Sequence, residues 1–171
     1  MERRHPSVVN VSEVAPRTVE KGTRFAVTAK SLGRETGAQQ LGCTHYIVPP
    51  GKTAFPFHFH TANDEAIYVL AGEGTLRLGD ARVPVRAGDW INLATGPAGA
   101  HQLLNTGRAP LEYLCMSTTR NAEVVGYPDS KKLGMMSAPT YAHAMKGEHW
   151  VRMIVREGPS VDYYDGEDTG E

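Results

Sequence analysis

Residues 51–74 read GKTAFPFHFHTANDEAIYVLAGEG, with His58 and His60 one residue apart, Glu65 five positions on, and a glycine at either end. On a β-strand, residues i and i+2 point to the same face, about 6.5 to 7 Å apart. His58 and His60 would therefore share one face of a strand, with Phe57 and Phe59 on the other. Two imidazoles at that separation can converge on a single ion, at about 2.0 to 2.1 Å from each nitrogen. The turn residues Thr61 to Asp64 let the chain reverse and bring Glu65 alongside at the head of the next strand. There Glu65, Ile67 and Val69 share a face, and a carboxylate heading an inward apolar row needs a partner. A metal cation would be that partner.

Outward from this stretch the chain consists of short apolar segments punctuated by glycine and proline. Strands are expected at 25–31, 43–48, 57–60, 65–70, 74–78, 81–85, 90–93, 100–105 and 111–117. Turn signals lie between them: PPGK, TAND, AGEG, two GD pairs and NTGRAP. Strands spaced this evenly describe an all-β sandwich or barrel. No apolar period of 3.6 runs through 25–118, and the one helix expected is a turn or two within 137–146. Residues 1–22 read as an extended N-terminal arm, 23–120 as the barrel, and 121–171 as a loop-rich extension. In that extension HWVRMIVREG can return as a late strand, and VDYYDGEDTGE is an acidic tail, expected to be solvated unless Tyr163 and Tyr164 dock on the body.

The 171 residues, 40% hydrophobic and 22% charged, suit one globular domain. A formal charge of -1 gives no overall basic field, which argues against nucleic acid as a partner. Cys43 and Cys115 form no CxxC pair or disulfide framework and read as small buried residues in a reducing compartment. With no apolar run suited to a secretion signal or a membrane span, the expectation is a cytoplasmic protein with no membrane partner.

Further along, GDWINLATGPAGAHQLLNTG puts His101, Leu103 and Asn105 on one strand face behind a glycine-rich loop. His58, His60, Glu65 and His101 then form a set of nitrogen and oxygen donors without thiolate. Such a set suits a divalent transition metal: Fe, Mn, Ni, Co, Zn or Cu. Four ligands on an octahedral ion leave two positions for a chelating substrate, or for substrate plus water or dioxygen.

These residues carry a resemblance. Gly51, His58, His60, Glu65 and Gly72 resemble the first motif of the cupin superfamily, G(X)5HXH(X)3-4E(X)6G, and Gly88, Pro97, Gly99, His101 and Asn105 resemble the second, G(X)5PXG(X)2H(X)3N. The fifteen residues between Gly72 and Gly88 are similar to the spacer of small single-domain bacterial cupins, of the conserved-barrel cupin 2 type. FPFHFHTANDE, YPDSKK and VDYYDGE look similar to an uncharacterised bacterial group within the superfamily. The loops depart from the pattern: one extra residue precedes His58, the loop before Pro97 is longer, and only Ala100 separates Gly99 from His101. The resemblance implies a double-stranded β-helix, or jelly-roll barrel, with a metal in its mouth on His58, His60, Glu65 and His101. Two functions fit: a metal-dependent enzyme on a small chelating substrate, of dioxygenase or isomerase/lyase type, or a barrel that binds a sugar or carboxylate without turnover. A homodimer formed by strands near the N-terminal half is expected, because exposed sheet edges pair.

Other residues carry weaker signals. Asp64 could orient an imidazole or simply bond its own turn, and Asn105 could orient substrate or close its strand. His45 could approach the cavity if its face of the strand points inward. The loop from Tyr127 to Lys132 could be a cationic lid, though a solvated turn explains its composition as well. Tyr46 and Tyr68 carry the same ambiguity as His45, with packing the usual part of a strand tyrosine, and His5, His143 and His149 have no assigned role.

Overall fold

Alternating apolar and polar residues, interrupted by turns, become thirteen strands, which the computed structural model describes over residues 4–168 and 170. An antiparallel sheet of six strands forms one wall in the order β1-β2-β3-β10-β5-β8. Its members are β1 (Arg17–Lys21), β2 (Phe25–Lys30), β3 (Leu41–Val48), β10 (Leu111–Thr118), β5 (Glu65–Ala71) and β8 (Trp90–Leu93). Facing it is the sheet β7-β6-β9, made of β7 (Ala81–Arg86), β6 (Glu73–Leu78) and β9 (His101–Leu104). A third group, β13-β12-β11-β4, comprises β13 (Val151–Arg156), β12 (Lys132–Ser137), β11 (Ala122–Tyr127) and β4 (Phe59–His60).

The His-Phe-His segment joins the last two groups. His58 bridges His101, while Phe59 and His60 pair with Gly126 and Val125 of β11. Only its last two residues form a regular strand, because the backbone changes partner at His58.

Period two places the core. In β5, Ile67 and Val69 are buried while Tyr68 and Leu70 are exposed, and Ile91 and Leu93 of β8 alternate with exposed Trp90 and Asn92. Val27, Val48, Leu111 and Tyr113 join them from the six-stranded wall, and Leu76, Val85 and Leu103 from the facing one. Each such aliphatic side chain contributes about 1.5 to 3 kcal/mol on burial. Gly72, a motif glycine, has φ +80°, and a Cβ there would lie 2.4 Å from the Pro110 carbonyl oxygen.

Beyond Thr118 the structure departs from the loop-like reading. Residues 122–127 and 132–137 form β11 and β12, although Gly126 and Gly134 would ordinarily weaken a strand. At Gly126 the missing side chain makes room for the Phe59 ring, which lies 2.2 Å from where a Cβ would stand. The two strands pair with each other as a hairpin, and β11 also pairs through Val125 and Gly126 with the distant β4, a contact that local pattern did not reveal. The short helices are α1 (Leu32–Glu35), which carried no sequence signal, and α2 (Tyr141–Lys146), within the range expected. In the N-terminal arm, residues 11–13 form a single 3-10 turn capped by Asn10, followed by the fully exposed β1. No helix among the described residues is long and apolar enough to cross a membrane.

Candidate metal centre

Backbone pairing brings the four sequence-predicted residues together. His58 and His101 exchange two hydrogen bonds, N–H to O at 3.1 and 2.8 Å, so their rings lie side by side with centroids 4.5 Å apart. The His60 ring lies 5.1 Å from that of His58. Glu65, first residue of β5, reaches between them: its Oε2 is 3.4 Å from His60 Nε2 and its Oε1 3.3 Å from His101 Nε2.

Hydrogen bonds orient two of the rings. His58 Nδ1–H donates to the Pro56 carbonyl at 2.8 Å, and His101 Nδ1–H donates to the Gly99 carbonyl at 3.0 Å. A carbonyl only accepts, so each Nδ1 must carry a proton, and a neutral ring then presents an Nε2 lone pair to the centre. His101 Nε2 is buried with no hydrogen-bond partner, and a carboxylate oxygen faces it. That contact calls for a positive centre, either a proton or a metal ion. As the side chains stand, however, no group of three or more His, Cys, Asp or Glu among the described residues has the spacing of a closed cation site. The donor chemistry fits a divalent metal, while the present spacing is that of an ion-pair cluster.

The electrostatics act in opposite directions on two of the rings. Burial, aided by the neighbouring His101 and His60, lowers the His58 pKa to about 4, so this ring is neutral at pH 7. At His60 burial also works against the charge, but the Glu123 and Glu65 carboxylates outweigh it and the pKa is raised. Burial works to raise the Glu65 pKa, yet contact with His101 and the charges of the three rings leave it below the ordinary value.

Glu123, at the start of β11, carried no signal in sequence and is 4% exposed. Its carboxylate accepts from the N–H groups of Thr61 (2.9 Å), Ala62 (3.1 Å) and Asn63 (2.9 Å), and thereby builds the turn that swings the chain from His60 back to Glu65. It also stands 3.7 Å from His60 Nδ1, an ion-pair distance. Although burial opposes it, the His60 contact and the turn amides pull the Glu123 pKa down to about 2. The carboxylate beside the His60 ring is therefore Glu123, about sixty positions away in sequence, at ion-pair distance and without a hydrogen bond to the ring.

The remaining candidates separate cleanly. Asn105 Nδ2 donates to the Val48 and Ala109 carbonyls at 2.7 and 2.8 Å, and its Oδ1 accepts from Gly107 N–H, so it closes its loop instead of facing the site. His45 is buried against Glu112 at 3.2 Å and does not line the cavity, whereas its neighbour Tyr46 does. In the Tyr127–Lys132 loop, Asp129 pairs with both terminal nitrogens of Arg77, whose guanidinium lies 3.5 Å from the Phe57 ring centroid. Cys43 and Cys115 are free thiols. Tyr163 and Tyr164 are exposed and meet each other edge to face.

The four residues open on a cavity of about 220 Å³, also lined by Tyr46, Phe55, Ile67, Leu103, Tyr113 and Cys115, and by no lysine or arginine among the described residues. Burial raises the Tyr46, Tyr113 and Cys115 pKa values, so all three stay protonated at neutral pH. A larger depression of about 480 Å³ near Thr118 and Tyr141 contains no histidine or carboxylate and is separate from this centre.

A two-walled antiparallel barrel with three histidines and a glutamate at its mouth defines the double-stranded β-helix class. The chain belongs to the cupin family: the cupin domain model matches residues 44–117. An oxalate-binding protein from Thermotoga maritima is 35% identical over 113 residues, spanning 64% of this chain and 91% of that protein. An uncharacterised protein of Methanocaldococcus jannaschii is 35% identical over 71 residues, 42% of this chain and only 54% of the relative's length. In fold the chain is similar to a cupin-superfamily sugar phosphate isomerase from Silicibacter pomeroyi, with a TM-score of 0.73, 20% identity and 94% of each chain covered.

Proposed function

We propose that His58, His60, Glu65 and His101 hold a divalent transition metal, and that the cavity offers it to a small chelating carboxylate, with metal-dependent turnover as the outcome. The observation that carries this reading is the inward Nε2 of His101, buried without a hydrogen-bond donor and facing the Glu65 carboxylate. When bound, such a metal acts as a Lewis acid toward a chelated oxygen or as a centre for dioxygen chemistry.

The chain's own residues narrow the ligand. Three neutral imidazoles and one carboxylate around a divalent ion leave a charge of +1 on the ligand set, partly offset by Glu123 behind His60, and that ion is what would attract an anion, since no Lys or Arg among the described residues lines the cavity. A volume of about 220 Å³ is below the roughly 300 to 1,000 Å³ of sites for drug-sized molecules, so the ligand is compact. Tyr46 and Tyr113 line the cavity and can donate hydrogen bonds to it. The oxalate-binding relative supports a dicarboxylate as the first compound to try. Apart from Glu65 the lining contains no ionised base, which favours oxidative or decarboxylating chemistry over isomerisations that need a separate base.

The second reading is binding without turnover, favoured by the same lack of a base. Elemental analysis of the purified protein, followed by oxalate calorimetry and oxygen-uptake and carbon dioxide assays on the metal-loaded form, separates the two. About one equivalent of metal is expected, lost in the His58→Ala/His60→Ala double variant. Full occupancy in that variant would overturn the ligand assignment, and tight binding with no product would select the second reading.

A further inference from the structure

The depression of about 480 Å³ lies between the 39–40 loop, the 118–121 connection that follows β10, and the start of α2 at Thr140 and Tyr141. That volume falls within the roughly 300 to 1,000 Å³ usual for small-molecule sites. Its walls are fixed by their own hydrogen bonds. Thr119 Oγ1 donates to the Gln39 carbonyl at 2.9 Å, Asn121 Nδ2 donates to the Pro139 carbonyl at 3.0 Å, and Thr140 Oγ1 is held by His143 at 2.7 Å. Two more bonds tie the 118–121 connection to the turn between His60 and Glu65: Thr118 Oγ1 accepts from Asp64 N–H at 3.0 Å, and Arg120 N–H donates to Asn63 Oδ1 at 2.7 Å. A ligand therefore meets a backbone already in place, and binding has little left to order.

What these bonds leave over is a set of donors. The Arg120 guanidinium, the Tyr141 hydroxyl and the Gln40 amide line the depression and make no hydrogen bond or ion pair among the described residues. Burial raises the Tyr141 pKa, with the Arg34 cation working the other way, so the hydroxyl keeps its proton at neutral pH and stands near a second guanidinium. No Asp or Glu among the described residues lines the depression. Such surroundings disfavour a cation and suit an oxyanion, which a guanidinium grips through two parallel N–H bonds. Met136, Ala138 and Ala144 line an adjoining lobe of about 160 Å³, which offers apolar surface to a carbon skeleton.

We propose that this depression is a second binding site, for a small hydroxylated oxyanion of the phosphate-ester or hydroxy-acid class, with Arg120 as its anchor. Arg120 takes the anionic group, and Tyr141 and Gln40 donate to the remaining oxygens. The Thr118 hydroxyl, an acceptor toward Asp64, keeps its own proton for a hydroxyl of the ligand. This site is independent of whether the barrel holds a metal.

Calorimetric titration of the full chain with glucose 6-phosphate, gluconate and uncharged glucose, at constant ionic strength, tests the proposal. Saturable binding is expected for at least one of the two anions and not for glucose, and the phosphate and carboxylate arms show which head group the site takes. In Arg120→Gln the affinity should fall at least about tenfold, and in Tyr141→Phe about fivefold, with unchanged circular dichroism. Arg82→Gln, on β7, should leave it unchanged. The His58→Ala/His60→Ala variant should bind the anion as wild type does, which separates this site from the metal centre. The proposal is overturned if neither anion binds, if glucose binds equally well, or if Arg120→Gln keeps full affinity. Loss of affinity in Arg82→Gln or in the histidine variant overturns it too. If Arg120→Gln fails to fold, Tyr141→Phe decides, and an unchanged affinity there overturns the site.

Discussion

Glu123 and His60 show how a single carboxylate can shape a site it does not enter. Its three backbone hydrogen bonds hold the 61–63 turn, and its charge faces the far side of the His60 ring. Groups that orient a metal-binding histidine typically affect metal affinity by about 10- to 100-fold. Glu123→Gln is therefore expected to weaken metal binding by that order in a competition titration with a chromogenic chelator. The sign of the pH dependence follows from the depressed Glu123 pKa of about 2. Its stabilising contribution is full above the ordinary carboxylate range near 4.5 and is lost as pH falls toward 2. After allowance for solvent screening it amounts to about 1 to 2 kcal/mol. Urea midpoints between pH 5 and pH 3 should fall more steeply in wild type than in Glu123→Gln, and equal slopes would contradict this. Metal affinity should weaken on acidification from the opposite cause, since His60, with its raised pKa, is protonated before His58.

Two elements convert strand pairing into site geometry. The first is the β4–β11 ladder, in which Phe59 crosses Gly126. Gly126→Ala places a methyl group against that ring and is expected to cost about 1 to 3 kcal/mol, as overpacking does. Because the ladder carries His60, the variant should also lose metal affinity; full affinity with reduced stability would show that β4 holds its place without β11. The second is the 105–110 loop, closed by Asn105, which is 1% exposed. Asn105→Ala removes three hydrogen bonds and leaves buried carbonyls without donors, at a cost of about 2 to 3 kcal/mol in denaturant unfolding. Ligand affinity at the metal should be little changed, since Asn105 does not line the cavity.

For the molecule as a whole, a ligand that binds only the folded barrel raises its stability by mass action. At about 100 times the dissociation constant the gain is about 2.7 kcal/mol, which for a chain of this size corresponds to a rise of about 5 to 10 °C in Tm. A panel of divalent metals in thermal unfolding should show that rise for the preferred ion, reverse it with chelator, and show none for the His58→Ala/His60→Ala variant. A shift that persists in the variant would place the metal elsewhere.

The first 120 residues were largely readable because each strand is bounded by a turn signal and alternates with period two. That period alone put Ile67 and Val69 inside and Tyr68 and Leu70 outside, and set His58 and His60 on one face. The histidine and glutamate set was readable for the same reason: its first three members lie within eight residues and share parity across one turn. Tertiary structure alone decided what depends on distant partners. β11 and β12 contain glycines that local pattern counts against a strand; they pair with each other, β13 pairs with β12, and at Gly126 the ring of Phe59 from the distant β4 occupies the space a side chain would take. Glu123 has no neighbour in sequence that marks it, and its role arises only when the chain returns about sixty residues later to the amides of the His60 turn. Side-chain parity is a local property of the backbone, whereas which strand lies beside which, and so which carboxylate meets which imidazole, is set by closure of the barrel.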